Sequence, residues 1–434
     1  LFNRRLIFRS EQLLFGGIII TLLAREWNYS VDGFVLPNIL YYSGWGAGLF
    51  LPLAFICSQK KIVASSAARA NLNCFLILAL CCLTVLLVQW LLYPEAMASY
   101  DLWTLLQFTA MPIWVLAGFL FAAQSTTSTA FLGKFAACAA WASFYSFGMR
   151  LSQADPFPFG AAGWPMRLFF LFGFCWYLSH FLLLNKTSFR MLCGLIACSL
   201  EVVFTLHKPI IFGTFFSVAT LFLIFMPRLH IHKLANKILK LLLPSVLVLV
   251  VVDNIYQGVI VDKLNYFYYD RILRIDNPDE ETSFRRSSSG RFDIWETAWS
   301  DFKKEPWVGT GIKNVEYEAG TISLHNGYLD LLFIFGVCGC FFVLFGGYLW
   351  FKWVFRSLNC PSLIQAQSSC LAYVIGILVF NMGGMSRLFP GPSYFVMLVC
   401  GIALRVAVDN WPKIAQVPIP KNSYSQSGDN RRST

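Results

Sequence analysis

One histidine and a few scattered cations carry the chemistry that this sequence offers. His325 stands in Leu324-His325-Asn326-Gly327, at the end of a long polar stretch that begins near residue 257. Histidine titrates near neutrality and accepts a proton from a hydroxyl, so a solvent-reachable His325 suits a general base. The plainer alternative is an interfacial histidine with a structural hydrogen bond. Arg291 follows Ser289-Gly290 in the same stretch. In the first turn of a short helix a cation opposes the dipole. Arg291 therefore either holds a phosphate through paired hydrogen bonds or pairs with one of the stretch's own carboxylates. Lys208, adjoining His207, and Arg387 are two further cations. Each either snorkels to lipid headgroups or holds an anion. No HExxH, no neighbouring histidine and no cysteine pair at ligand spacing accompanies them, so a metal site is not expected.

The elements that must position these groups are membrane helices. Of 434 residues, 57% are hydrophobic and 13% charged, against about 25% charged in soluble domains. Apolar runs of about 20 residues, the length a bilayer core demands, recur from end to end. The pattern predicts an all-α integral membrane protein with about twelve transmembrane helices and one large extracytoplasmic loop. A membrane β-barrel would alternate in shorter segments. Spans are expected near 11–24, 34–57, 72–93, 102–123, 131–149, 165–184, 189–206, 210–226, 241–258, 327–351, 368–385 and 390–408. The first nine fill residues 1–256, the loop takes 257–326, and the last three fill 327–408. The tail over 409–434, rich in Pro, Ser, Asn and Lys, is expected to be disordered and cytoplasmic. The thirteen cysteines include Cys81-Cys82 and Cys338-Gly339-Cys340 in apolar runs, where a thiol acts as a small hydrophobe.

The net charge of +11 does not call for a nucleic acid. Arg4, Arg5, Lys60, Lys61, Lys186, Arg190, Lys233, Lys237, Lys352 and Arg356 fall in alternate short connections. The opposite connections hold only Arg25, Arg150, Arg167, Lys208 and Arg387. The positive-inside rule then puts both termini in the cytoplasm and the long loop outside. Lys208, Arg291, His325 and Arg387 share that outer side, whereas His180, His230 and His232 fall toward the inner one.

Within the loop, Phe292, Trp295, Trp299 and Phe302 recur at spacings of three and four. They predict an amphipathic helix with Ser288 or Ser289 as cap and Pro306 as stop. Its aromatic face would lie on lipid or on the bundle. Trp307-Val308-Gly309-Thr310-Gly311 lacks the lysine and spacing of a phosphate-binding loop, and reads as a turn that orients the chain toward the next span.

Gly290-Arg291, Trp295, Pro306, Gly309-Thr310-Gly311 and Leu324-His325-Asn326-Gly327-Tyr328-Leu329, followed by Gly336 and Gly339, resemble the signature of the O-antigen ligase and polymerase superfamily. The resemblance covers roughly residues 290 to 340. It implies a GT-C-like glycosyltransferase of the bacterial inner membrane, with the loop in the periplasm. The donor would be a glycan on undecaprenyl diphosphate and the acceptor the lipid A–core, with no metal, cofactor, nucleotide or nucleic acid. His325 would be the catalytic histidine and Arg291 would contact the diphosphate. Lys208, beside His207, stands where the family carries an arginine, keeping the charge but losing the two-pronged geometry. Arg387 resembles another outward arginine of some ligases, and Asn326, within the motif, is expected at the substrate.

The reaction so implied is the attack of a sugar hydroxyl on the anomeric carbon, with inversion and departure of the lipid diphosphate. Fixed cations would stabilise the leaving group. Their charge would also lower the pKa of His325 and keep the ring neutral, free to accept a proton. A repeat-unit polymerase or a protein O-oligosaccharyltransferase would use the same donor. A secondary transporter would instead show two matching six-span halves, and no such repeat is visible.

Overall fold

In the computed structural model the described residues are 66–92, parts of 114–122, 128–151, 164–183, 188–204, 208–228, parts of 236–265, 291–309, 315–317, 320–322, 326–382, 393–410 and 414. The expected spans at 11–24 and 34–57, His207, His325, Arg387 and the tail from 415 lie outside them.

The described chain is helical. In order come α1 (Ser66–Leu92), α2 (Ser128–Leu151), α3 (Trp164–Leu183), α4 (Phe189–Phe204), α5 (Lys208–Phe225), α6 (Arg291–Phe302), α7 (Gly327–Ser357), α8 (Ile364–Phe380) and α9 (Ser393–Asp409). Between α6 and α7 sits a hairpin of β1 (Val315–Tyr317) and β2 (Gly320–Ile322), antiparallel with Glu316 opposite Thr321. The helical segments follow the expected apolar runs, because about 20 uninterrupted apolar residues favour a helix that satisfies its own backbone. Among the described residues, Phe335–Ser357 is long and apolar enough to cross a membrane. Arg167–Leu183, Pro209–Phe225 and Ile364–Phe380 are shorter apolar helices.

The core centres on α3, apolar on every side and surrounded accordingly. Phe169, Phe170, Phe172 and Cys175 are fully buried. Phe169 meets Phe135 of α2 edge-on at 5.2 Å, and Phe172 meets Tyr373 of α8 at 5.3 Å. Helices α5 and α8 cross closely. A side chain on Gly213 would run into the Gly376 carbonyl, and one on Gly376 into Ser217. The Ser217 hydroxyl donates across this crossing to Ala372 O at 2.8 Å. Small residues and hydroxyls of this kind hold helices together where the surroundings offer no hydrophobic gain.

A second tie joins α3 to α8. Gln365 Nε2 donates to Ser179 Oγ at 3.0 Å and also bonds His180 Nδ1. Ser179 and Ser369 share a further hydrogen bond.

Candidate functional site

These contacts fix the helix register, and the register decides which residues share an end of the bundle. Gly213 lies on Gly376 and Ser217 bonds Ala372, so α5 and α8 run antiparallel. Lys208, five residues before Gly213, is therefore level with Asn381, five after Gly376. The pairs Phe172–Tyr373 and Ser179–Ser369 set α3 antiparallel to α8 as well. Arg167, at the start of α3, then also comes level with the end of α8. On α4, Cys198 faces Gly173 and Gly194 faces Tyr177. That register carries Glu201 level with about Phe170, roughly one turn inside the same end.

The start of α7 is fastened there too. The Gly327 amide donates to Asn381 O at 2.9 Å. Asn326 Nδ2 donates to Met382 O at 3.3 Å. The Tyr328 hydroxyl reaches Leu378 O at 2.8 Å. Asn326 also caps α7, its side-chain oxygen accepting from the amides of Tyr328 (3.1 Å) and Leu329 (3.2 Å). That is the bonding expected of an N-cap, which supplies partners for amides the helix leaves over. Both polar atoms of the Asn326 side chain thus have partners in the fold, and its carbonyl accepts the Asp330 amide at 2.9 Å. His325, the next residue back, is outside the described residues, but the chain leaves this fixed point to reach it.

Arg291 opens α6, and its backbone alone is described. The helix packs through Trp295, Ala298 and Phe302 onto Leu329, Leu332 and Phe333, the first two turns of α7. Phe302 meets Phe333 edge-on at 5.4 Å. Of the expected stripe, Trp295 and Phe302 lie at this contact. Trp299 stays 44% exposed, and the small, fully buried Ala298 takes its place at the contact. A methyl group lets the helices approach where an indole would hold them apart.

Below α6 the chain turns through Lys303–Gly309 and docks into a break in α7. Gly336 has φ 63° and ψ −172°, a conformation that residues other than glycine essentially never adopt. The break exposes two amides, and the turn answers them. Val337 N donates to Pro306 O at 2.9 Å and Cys338 N to Trp307 O at 3.1 Å. A Cβ at Gly336 would overlap Trp307 O and Gly309 N. The glycine turn that the sequence suggested therefore ties the loop to the head of the following span.

Sequence reasoning counted Arg167 among the outer-side cations but placed neither it nor Glu201 in the site. Both are buried, Arg167 at 2% exposure and Glu201 at 0%, and both lie at the end that carries Lys208 and Asn326. Ionisable groups inside membrane spans are rare and usually functional. Their signal was present in the sequence, since each is a charge within or beside an apolar run. Their place at this end depends on helix register. Of the other expected site residues, Lys208 is placed here by its backbone only, and His207, His325 and Arg387 lie outside the described residues. Among the described residues, no group of three His, Cys, Asp or Glu is arranged to hold a metal.

Residues 168–344, less than half of the chain, match the family model described as O-antigen ligase. The matched segment runs from α3 through the first half of α7, taking in Lys208, Arg291 and the His325-Asn326 step. A search of curated proteins returned no match.

Proposed function

We propose that this chain is a membrane glycosyltransferase of the O-antigen ligase type. It transfers a glycan from undecaprenyl diphosphate to a sugar hydroxyl of the lipid A–core on the periplasmic face of a bacterial inner membrane. The observation that carries the reading is the convergence of Lys208, Glu201 and the pinned Asn326, all within the stretch that resembles O-antigen ligases, with Arg167 just before that stretch, at one end of a helical bundle. In this account His325 takes the proton of the acceptor hydroxyl as the oxygen attacks the anomeric carbon. The bond to the diphosphate breaks with inversion, and Arg291, Lys208 and Arg387 stabilise the departing charge. His207 adjoins this cation group. Asn326 serves by fixing the backbone beside His325. The prenyl tail stays in lipid while its headgroup enters from the side, which suits a site at the end of a membrane bundle.

The test is deletion of the gene in its host, with lipopolysaccharide and the lipid-linked glycan pool analysed together. Bare lipid A–core beside accumulated long glycan on undecaprenyl diphosphate is the expected result. Single repeats on lipid A–core with long chains missing would make the protein a polymerase instead. An unchanged pattern would reject both.

A further inference from the structure

We propose that the turn between α6 and α7 is seated in the bilayer interface, with Trp307 and Trp299 as its anchors and phospholipid as the partner. Two observations meet here. First, the turn has a defined depth. Its carbonyls at Pro306 and Trp307 receive the amides of Val337 and Cys338, and the apolar span begins at Phe335. The helix from Phe335 to Ser357 is long and apolar enough to cross a membrane by itself, and a helix rises about 1.5 Å per residue, so the bonds to Val337 and Cys338 hold the Trp307 backbone at the head of that stretch.

Second, the side chains there are uncovered and of the interfacial kind. Trp307 is 67% exposed. Trp299, exposed as well, stacks on Phe302 at 5.3 Å, and Phe302 in turn touches Phe333, three residues from the break. Lys303 and Lys304 between them are exposed. On α7 the cover changes at the same level: Leu331, Phe333 and Phe335 are buried, whereas Val337 and Phe341 are open. Indoles favour the boundary between headgroups and acyl chains, and lysines beside them reach phosphates. A turn at such a depth needs its backbone groups satisfied, and the break at Gly336 provides that. The second tryptophan of the expected stripe thus faces lipid while its neighbours face the bundle. This inference concerns how the loop sits and is independent of the reaction proposed above.

The experiment uses the full chain in phosphatidylcholine nanodiscs, with lipid brominated near the glycerol end, near the methyl end, or not at all. Bromine quenches tryptophan emission on contact. Wild type is compared with Trp307→Phe, Trp299→Phe, the double variant and Trp295→Phe, each checked for monodispersity and helix content. Because the chain has 14 tryptophans, the readout is the quenched emission lost in each variant. Loss of bromine-sensitive emission in Trp307→Phe, larger in the double variant, absent in Trp295→Phe and strongest with the shallow bromine, is the expected result. Equal quenching in wild type and the double variant would overturn the proposal. So would a loss seen only with the deep bromine.

Discussion

The carbonyl of Trp307 accepts the amide of Cys338 at 3.1 Å across the break that Gly336 makes in α7. A loop residue and a membrane-span residue are thereby joined by backbone, next to the motif that carries the candidate histidine. The position of the loop follows from this joint, and the joint depends on a glycine.

Gly336→Ala should therefore be costly. The φ of 63° strains any L residue by about 1–3 kcal/mol, and the new methyl would push the turn out of the break. We expect a lower thermal midpoint in detergent and lost transfer in complemented cells. Gly347→Ala, where a Cβ meets nothing within 4 Å, should behave as wild type in both assays.

Asn326 separates positioning from direct substrate contact. Removing an N-cap costs about 0.5–2 kcal/mol, so Asn326→Ala should lower both the thermal midpoint and transfer. Asn326→Asp keeps the capping oxygens but loses the donor to Met382 O, and should fall between. Loss of transfer in Asn326→Ala with an unchanged midpoint would assign the side chain to substrate instead.

Arg167 is a buried charge level with Lys208, and Glu201 is another about one turn further into the bundle. Taking one away leaves its buried neighbours short of a partner, at about 1–3 kcal/mol. Arg167→Met and Glu201→Gln should reduce transfer by more than they reduce protein in the membrane, measured by blotting beside the lipopolysaccharide gel. Arg167→Lys, which keeps the charge, should recover part of the loss.

The tie between α3 and α8 has the opposite profile. Gln365→Leu removes its hydrogen bonds to Ser179 and His180, each worth about 0.6 kcal/mol between membrane helices. The midpoint should drop slightly while transfer per folded molecule holds. A collapse of transfer at normal stability would bring His180 into the mechanism.

Helix positions were legible in the sequence, because long apolar runs bounded by charge leave the backbone little choice. The run expected at 165–184 is α3 at Trp164–Leu183, and that at 210–226 is α5 at Lys208–Phe225. The break at Gly336 was hidden, since an apolar run continues on both sides and the reason for the glycine lies far back in the chain, at Trp307. The hairpin at Val315–Ile322 escaped notice because strands of three residues show no alternation. For the candidate site, residue types were readable but company was not. Arg167 and Glu201 join Lys208 only through the register of α3, α4 and α5 against α8, which rests on Gly213, Gly376, Ser217 and the Phe172–Tyr373 contact.

The central claim is that His325 acts at the acceptor hydroxyl in a glycan transfer from lipid diphosphate. Purified wild type and His325→Ala, reconstituted in liposomes with lipid-linked glycan and lipid A–core, test it directly through the rate of product formation. The account predicts glycosylated lipid A–core with wild type, and with His325→Ala a loss of at least about a hundredfold, the scale of a missing general base, at unchanged donor binding. Transfer at the wild-type rate by a folded His325→Ala protein would contradict it.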